Sequence, residues 1–465
     1  MNPLPRHAAL GGIRVAEKVG SSPPGSIRTL VLDQDVGIDS RLLQDYCLVQ
    51  PTAFTYDLMT VVAAVRSADR EVRRIPSEGW ARHLTVELPV YDHVLWRSAH
   101  TQALLRETLS YLTGDQWEFT FKARRSKFRP PQQTFLAIRP DVKTRFLPYS
   151  HGLDSYAQLR LLQHRDKDTL HVCVYADTRQ MSGGWKEFCR RTRGQSVRPI
   201  RVPLRFSDPH HSERTFRTRP FIYYILSAYG AMTVNASEVV VPENGQGSLG
   251  GSLALLGCEA PHRSCHPGFT TRLTQLFRQL TGHTVVFQHP GLFSTKADVL
   301  TDLLRIDQNG SKWMAEHWSC SHDQRNSSHG RKRIHCGVCG NCILRRNAAF
   351  VAGIVETTPY LYSNLQSPTM HSALLDDSPQ PRSYRAFEDL ASNGVRGMQR
   401  LADMAERPDD LAVWSEAASI AESQGATVEQ TRKELLHFMQ THATQWRDFL
   451  THCGPDSWVT TMARG

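Results

Sequence analysis

Four cysteines lie close together in the chain at a spacing that suits a metal ion. They are Cys320, Cys336, Cys339 and Cys342, in the segments HWSCSH and HCGVCGNCILRR. Thiolates so spaced can close on one tetrahedral zinc ion, and four protein ligands make such an ion structural. The alternatives are free buried thiols or an iron–sulfur cluster, because C-x2-C-x2-C also begins ferredoxin motifs. No Cys-Pro follows here and one cysteine lies upstream, which favours zinc.

The segment RFLPYSHGLDSYAQLRLL has the composition of an anion site. Residues 145–149 are apolar-rich and predict a buried strand, and residues 154–164 have helical spacing. A turn between a strand and a helix points backbone N–H groups at a phosphate, whose charge the helix dipole favours. No Gly-Lys-Ser/Thr follows, so this is not a Walker A loop. The predicted phosphate-binding residues are Ser150, His151, Gly152, Leu153, Asp154 and Ser155.

This turn resembles the SGGxDS loop of ATP pyrophosphatases, which split ATP into AMP and pyrophosphate while adenylating a substrate oxygen. His151 stands at the first glycine of that loop. A histidine adopts the required backbone conformation only with strain. The resemblance therefore leaves open a modified phosphate grip or an inactive site.

The loop and the cysteines together resemble the 7-cyano-7-deazaguanine synthase (QueC) family. Four further segments are similar to that family: LHVCVYADTRQ (170–180), RTRPFIYYILSAYGA (217–231), HPGLFSTKADVLTDL (289–303) and CGVCGNCILRRNAAF (336–350). The resemblance covers about 145–352. The remainder, with VVVPENGQGSLGG (239–251), resembles the QatC branch of anti-phage defence systems. The resemblance implies ATP with Mg²⁺, a 7-carboxy-7-deazaguanine-like substrate and partner proteins from a defence operon.

Activating a carboxylate with ATP requires cations that neutralise the leaving pyrophosphate. The family match favours Lys296 and Arg219 for this role, although each could be a surface charge. Asp154, the third predicted catalytic residue, either ligates Mg²⁺ or caps its helix. Further contacts are predicted for residues that follow strand ends. They are Asp177 and Arg179 for the nucleotide, and Gln180, Glu243 and Asn244 for the substrate. For Glu243 and Asn244 the alternative is that they form only a polar turn.

From residue 141 onward the predicted strands and helices alternate. Strands are predicted near 145–149, 170–176, 197–204, 238–242 and 283–287, and helices near 154–164, 184–193, 219–233, 268–281 and 295–306. Alternation predicts an α/β fold with a parallel sheet and helices on both faces, and ligands beyond the carboxyl ends of the strands. The resemblance makes this fold adenine nucleotide alpha hydrolase-like, with a PP-loop.

The predicted domains follow from shifts in composition. Residues 1–26 are expected to be a mobile lead, 27–140 an N-terminal α+β domain of unknown role, and 141–366 the nucleotide-binding domain, with a zinc loop at 317–350. A linker at 367–382 precedes a helical region at 380–465.

Composition excludes several classes of protein. No apolar run approaches the length of a membrane span, and the first residues lack the pattern of a signal peptide. Ten cysteines, four of them spaced for metal, favour a reducing cytoplasm over a disulfide scaffold. The net charge of +10 allows nucleic-acid binding, but a solvated surface that attracts a polyanionic nucleotide is favoured.

These observations leave two classes of function. The first is an ATP-dependent ligase that adenylates a 7-deazaguanine carboxylate for attack by an amine. The amine is expected to belong to a partner protein, and free 7-cyano-7-deazaguanine synthesis from ammonia is the alternative. The second class is a catalytically inactive nucleotide-binding subunit of a defence complex. A sulfur-transferring tRNA enzyme is less favoured, because the cysteines are committed to zinc.

Overall fold

The computed structural model describes residues 9–18, 27–47, 49–75, 80–129, 142–177, 183–206, 212–213, 215–256, 260–321, 327–329, 332–375 and 384–465. The chain divides into two compact units that alternate along the sequence. The first unit comprises Met1–Ser150, Asp166–Val241 and Cys258–Pro290. The second comprises His151–Arg165, Pro242–Gly257 and Gly291–Gly465. The predicted domain boundaries at 140 and 366 stay predictions.

The strands belong mainly to the first unit. They are β1 (Ala9–Ala16), β2 (Arg28–Val31), β3 (Val36–Ile38), β4 (Arg82–Val90), β5 (Gln116–Ala123), β6 (Thr144–Pro148), β7 (Leu170–Asp177), β8 (Val197–Phe206), β9 (Glu238–Val240), β10 (Val286–Gln288), β11 (Ser328–His329) and β12 (Lys332–Arg333).

The helices are shared between the two units. They are α1 (Arg41–Cys47), α2 (Ala53–Glu71), α3 (His93–Arg97), α4 (Ala99–Thr113), α5 (Leu153–Arg165), α6 (Gly183–Arg191), α7 (Arg219–Thr233), α8 (Gly245–Leu253), α9 (Pro267–Thr281), α10 (Lys296–Ile306), α11 (Gly310–Glu316), α12 (Gly340–Val351), α13 (Tyr384–Met404), α14 (Leu411–Gln424), α15 (Val428–Cys453) and α16 (Trp458–Arg464). Of the described helices, none has both the length and the apolar character to cross a membrane.

One sheet of the first unit has the order β2-β1-β4-β5, and each neighbouring pair is parallel. The expectation of a mobile lead is therefore wrong for Ala9–Ala16, which is an interior strand of this sheet. The strand approaches its neighbour closely at Gly12, where a Cβ atom would lie 2.1 Å from the Thr85 carbonyl oxygen. Glycine is required at this contact, and the same glycine weakens the strand signal in the sequence.

The other sheet has the order β10-β9-β6-β7-β8-β3. The strands β10 to β8 run parallel, and only β3 is antiparallel, against β8. Helix α7 packs on β6, β7 and β9. The predicted strands and helices of the α/β region are confirmed, and so is the parallel sheet flanked by helices.

A buried ion network fixes the start of α7 in the first unit. The Arg82 guanidinium is fully buried and donates to Asp69 and Asp115. Asp69 in turn accepts hydrogen bonds from the backbone N–H and the hydroxyl of Thr218, at 2.9 and 2.8 Å. Thr218 precedes the helix, so this network places Arg219 at the first helical position.

The second unit is mainly helical and has several apolar cores. One core joins α5, α10 and α12, and it includes Leu153, Leu300 and Ala348. Another joins α13 and α15 to the cysteine-bearing loop. Helices α12 and α13 meet at two glycines, where a Cβ atom on Gly394 would lie 2.8 Å from the backbone nitrogen of Gly340.

The predicted linker at 367–382 is wrong in its described part. Met370 and Ala373 are buried in the core that contains the cysteines. The Ser367 carbonyl accepts a hydrogen bond from the Trp458 backbone N–H at 2.8 Å. This part of the segment is packed because its apolar residues fill that core, whereas its Pro, Ser and Asp content alone predicted a linker.

Candidate active site and metal centre

The predicted phosphate loop joins a strand to a helix, as the sequence indicates. Strand β6 ends at Pro148, and α5 begins at Leu153, which is buried. His151 has φ of 60°, which is the left-handed conformation that favours glycine. The cost of that conformation is about 1–2 kcal/mol for a residue with a side chain. His151 therefore does adopt a strained backbone conformation, as the sequence comparison with the SGGxDS loop predicts.

Lys296 contacts this loop from the start of another helix. It is the first residue of α10, behind a Thr295–Asp298 capping box. Its Nζ lies 2.6 Å from both carboxylate oxygens of Asp154, and only 4% of its side chain is exposed. The positive end of a helix dipole disfavours a cation, and so does burial. The position is therefore unfavourable for stability alone and depends on the carboxylate beside it.

Asn244 connects Asp154 to a second carboxyl group. It caps α8 by accepting a hydrogen bond from the Gly247 N–H at 3.1 Å. Its Nδ2 donates to Asp154 Oδ1 at 2.9 Å and to Glu243 Oε1 at 2.8 Å. One buried amide therefore fixes two acidic side chains, and the predicted residues Asp154, Lys296, Glu243 and Asn244 form a single cluster.

The cluster contains more acid than base. Burial raises the pKa of Glu243 to about 8, and the negative charge of Asp154 contributes to the rise, while Lys296 acts in the opposite direction. Two carboxylates that share one lysine do not both remain ionised at low cost. Near neutral pH the Glu243 carboxyl group therefore holds its proton, and Asp154 carries the charge that balances Lys296.

The remaining predicted site residues are distributed as follows. Ser150 is exposed at the end of the first unit, and the Ser155 hydroxyl donates to the Gly152 carbonyl at 3.0 Å. Arg219 is exposed in the first unit, with its guanidinium 5.4 Å from the centre of the Tyr223 ring. Asp177 ends β7, and its side chain lies outside the described residues, as do Arg179 and Gln180. The roles of these residues stay predictions.

Sequence reasoning missed a connection from this cluster to the C-terminal helices. Gln246 accepts a hydrogen bond from the Lys296 backbone N–H at 2.8 Å, and its amide donates to His442 Nδ1 at 3.4 Å. His442 Nε2 lies 2.9 Å from the Met398 carbonyl and donates to it. Burial lowers the pKa of His442 to about 4, which keeps the ring neutral as these contacts require. Gln246 lies in the segment PENGQG, but no local pattern indicates its partners.

The four predicted cysteines form a buried cluster. Their sulfur atoms all lie within 4.8 Å of one another, with separations of 3.8 Å for Cys336–Cys342 and 4.0 Å for Cys339–Cys320. Tetrahedral zinc with Zn–S bonds of about 2.3 Å places sulfurs roughly 3.8 Å apart. A cluster of several iron atoms would spread its cysteines further. The donor set therefore fits one tetrahedral ion such as zinc.

The backbone around the cysteines is shaped for this cluster. Gly337 has φ of 87°, and a Cβ atom there would lie 2.4 Å from the Tyr362 carbonyl oxygen. The backbone N–H groups of Cys336 and Cys339 donate to the sulfurs of Cys320 and Cys336, at 3.4 and 3.3 Å. N–H donors to sulfur stabilise thiolates, which are the form that binds a metal.

Arg345 fixes the chain that leads into the first cysteine. Its guanidinium is fully buried and donates to the carbonyl of His317 at 2.7 Å and to Glu356 at 2.6 Å. The His317 ring stacks on Tyr156 of α5, with ring centres 3.9 Å apart. The sequence CGVCGNCILRRNAAF contains Arg345 but indicates no role for it, and the structure shows that it positions the 317–320 segment.

The parallel sheet, the loop at the head of α5 and the cysteine cluster are typical of an α/β nucleotide-binding protein of the PP-loop class. A comparison with protein-family models finds no match. Curated proteins named 7-cyano-7-deazaguanine synthase do match parts of the chain. The protein from Rhizobium rhizogenes is 37% identical over 98 residues, which are 21% of this chain and 36% of that protein.

Two further relatives agree with this match. The protein from Porphyromonas gingivalis is 34% identical over 104 residues, 22% of this chain and 42% of that protein. The protein from Rhizobium leguminosarum bv. trifolii is 33% identical over 168 residues, 35% of this chain and 60% of that protein. The chain thus spans between about a third and 60% of the length of these relatives. These matches support a QueC-like family for the matched part of the chain.

The cysteine geometry predicts one equivalent of zinc per chain. Cys339→Ser should remove the metal and lower the free energy of unfolding by several kcal/mol, because metal binding contributes to folding. Cys453→Ser, a buried thiol outside the cluster, is the matched control and should retain zinc. Metal analysis and thermal unfolding measure both effects. Iron, or less than half an equivalent of zinc in well-folded protein, would contradict the prediction.

The raised pKa of Glu243 predicts a pH-dependent stability. Between its ordinary value of 4.5 and about 8, the folded protein binds more protons at this group than the unfolded chain. The contribution of Glu243 is therefore complete below the ordinary value and is lost as pH rises through about 8. Glu243→Gln should flatten this part of the stability profile, whereas the exposed Glu434→Gln should not. Urea unfolding measures the free energy of unfolding across this pH range. If the free energies of Glu243→Gln and of the unmodified protein change in parallel with pH, the raised pKa is not that of Glu243.

Proposed function

We propose that this protein is an ATP-dependent ligase that adenylates a 7-deazaguanine carboxylate and passes the acyl group to an amine. The observation that supports this most strongly is the Lys296–Asp154–Asn244 cluster at the head of α5. The name shared by the curated relatives supplies the substrate class. The proposed substrate is 7-carboxy-7-deazaguanine or a close analogue.

In the first step, a carboxylate oxygen of the substrate attacks the α-phosphorus of ATP. A new C–O–P linkage forms, the bond between the α-phosphorus and its bridging oxygen breaks, and pyrophosphate leaves with that electron pair. The N–H groups that begin α5 face the phosphates, and the positive end of the helix favours their charge. Lys296 neutralises the charge that develops on pyrophosphate, and Arg219 is proposed to assist.

Asp154 has two proposed roles in this step. Its carboxylate keeps Lys296 charged and correctly placed before ATP binds. It is also the acidic side chain at the phosphate loop, where the Mg²⁺ that accompanies ATP would be bound. Mg²⁺ supplies further charge neutralisation at the phosphates when bound. Helix capping, the other sequence-based alternative, is not supported, since Asp154 lies inside α5 and its described bonds go to Lys296 and Asn244.

The substrate side of the site is proposed to include Glu243. The described hydrogen bonds of this residue all go to Oε1, so Oε2 carries the proton near neutral pH and is proposed to donate a hydrogen bond to an acceptor atom of the base. Asn244 is occupied by both carboxyl groups and by Gly247, so its proposed role is to orient Asp154 and Glu243. Gln180 is retained as a proposed substrate contact, and Asp177 and Arg179 as proposed nucleotide contacts.

In the second step, an amine nitrogen attacks the acyl carbon, AMP leaves, and the nitrogen loses a proton to give an amide. We propose that the amine belongs to a partner protein of a defence operon, because parts of the chain resemble the QatC branch of anti-phage defence systems. Much of the chain lies outside the segment that resembles the family, and such surface is suited to docking a protein. With ammonia instead, a second ATP would adenylate the amide oxygen with release of pyrophosphate. Loss of AMP and of both protons from the nitrogen would then give free 7-cyano-7-deazaguanine.

The second candidate is an inactive nucleotide-binding subunit, and His151 is the observation that favours it. The left-handed conformation of His151 preserves the loop backbone, so what differs from a glycine is the space that the imidazole fills. An enzyme remains the favoured proposal, because Lys296 and Asp154 are held together at a cost in stability. Cysteine usage supports a reducing cytoplasm as the place of action, and nucleic acid is a less favoured partner.

Release of AMP and pyrophosphate tests the adenylation step. Removing only Asp154 would leave the Lys296 charge buried without a partner, at a cost of about 3–5 kcal/mol. The decisive variant is therefore Asp154→Asn with Lys296→Met, which removes both charges together. We expect AMP release with 7-carboxy-7-deazaguanine to fall at least about 100-fold.

The control is Arg305→Ala, which breaks an exposed ion pair on the same helix. It should release AMP at the normal rate. Normal release by the double variant would move the active site away from this loop. Binding of ATP without any release by the unmodified protein would favour the inactive subunit.

Intact-mass spectrometry tests the acceptor. A partner protein encoded nearby, mixed with enzyme, ATP and the deazaguanine acid, should gain the mass of the acyl group through an amide bond. The double variant at Asp154 and Lys296 should leave the partner unmodified. An unmodified partner together with accumulating free 7-cyano-7-deazaguanine would reject conjugation and restore nitrile synthesis.

A further inference from the structure

The phosphate loop is attached to the chain segment that carries the first cysteine of the metal cluster. Gly152 forms an isolated parallel bridge with Trp318, two residues before Cys320. Both residues belong to the second unit. The loop that is proposed to hold phosphate is therefore paired with a short extended segment whose far end is a metal ligand.

The Trp318 side chain ties this segment to both parts of the cysteine cluster. Its indole N–H donates to the carbonyl of Cys320 at 2.7 Å. Its ring stacks on His335, with ring centres 4.0 Å apart, and the Arg333 guanidinium lies 3.8 Å from the centre of the indole ring. His335 directly precedes Cys336, and its Nε2 accepts a hydrogen bond from the Ser319 N–H at 3.2 Å. The indole is therefore fixed by groups on either side of the metal cluster.

The neighbouring residue is fixed as well. Arg345, three residues after Cys342, holds the His317 carbonyl, and the His317 ring stacks on Tyr156 of α5. The segment at 317–319 thus has contacts toward the phosphate loop on one side and toward cysteine-bearing segments on the other. A shift of the cysteine loop would be transmitted to Gly152 through this segment, because packed groups do not deform independently.

We infer that Trp318 is a positioning residue that couples the metal cluster to the shape of the phosphate loop. The cluster then has a role beyond stability: it sets where the N–H groups of residues 151–156 lie. This inference rests on the proposed use of that loop for phosphate. A displacement of about 1 Å at such a site is enough to cost one to two orders of magnitude in rate or affinity.

Two substitutions separate the contacts of Trp318. Trp318→Phe keeps a ring between His335 and Arg333 but removes the N–H donor, whereas Trp318→Ala removes both. The matched control is Trp414→Ala, because Trp414 also lies under an arginine, with Arg432 at 4.3 Å, on α14 of the same unit. Zinc content is measured for each variant, so that loss of metal is distinguished from loss of coupling.

The deciding measurement is amide hydrogen exchange of residues 151–156, with α14 (Leu411–Gln424) as the internal reference. For Trp318→Ala we expect faster exchange at 151–156, unchanged exchange in α14, a full equivalent of zinc, and ATP binding weaker by about tenfold. Trp318→Phe should show a smaller change in the same direction, and Trp414→Ala should leave exchange at 151–156 unchanged. Because Trp414 lies in α14, that helix serves as the reference for the two Trp318 variants only. Removal of zinc from the unmodified protein by a chelator should also speed exchange at 151–156.

The inference is overturned if Trp318→Ala is folded and zinc-loaded and still exchanges at 151–156 at the rate of the unmodified protein. If Trp318→Ala exchanges faster in α14 as well, the variant has lost its fold. The inference is then tested by exchange at 151–156 in Trp318→Phe, again compared with exchange in α14. The exchange measurement needs no turnover. An unmodified protein that releases no AMP would therefore end the proposed function and still leave the coupling decided.

Discussion

The buried ammonium group of Lys296 constrains the arrangement of its surroundings in the second unit. Burial and the positive end of α10 both oppose a cation at this position, so a carboxylate has to meet it. Asp154 does so from the first turn of α5, which ties the head of one helix to the head of another. Asn244 then bridges Asp154 and Glu243 with one amide, and the excess negative charge is relieved by a proton on Glu243. A sequence that kept the helices but lost Asp154 would leave the buried charge of Lys296 uncompensated.

The cysteine cluster is the second organising centre of the same unit. It joins chain segments that are far apart in sequence: the segment at 317–319, the loop before α12, and the C-terminal helices that share its apolar core. The hydrogen bonds from Lys296 through Gln246 to His442 reach those same helices by another route. The C-terminal region is therefore built into the candidate site and is not an appendage to it.

Local sequence patterns predicted most elements of the α/β region, because the alternation of apolar strands and amphipathic helices is a short-range signal. The cysteine cluster was predictable for the same reason, since ligand spacing is local. Strand β1 was missed because its glycines, needed for close approach to β4, resemble those of a loop. The bridge between Gly152 and Trp318 and the hydrogen bonds of Gln246 were also missed. They join segments separated by at least 50 residues, and no residue type in either segment indicates the other.

The close passage of Gly340 and Gly394 has a practical consequence for anyone who shortens this chain. Because neither residue has a side chain, α13 rests directly on the backbone of α12, and Phe387, Val395 and Trp446 share an apolar core with Cys342. A fragment that ended near residue 366 would keep the segment that resembles the family. It would expose to solvent the apolar surface that α13 and α15 cover. We expect such a fragment to aggregate during purification. Its low solubility would give no information about catalysis. Crystallisation and assays therefore require a chain that retains α13 to α16.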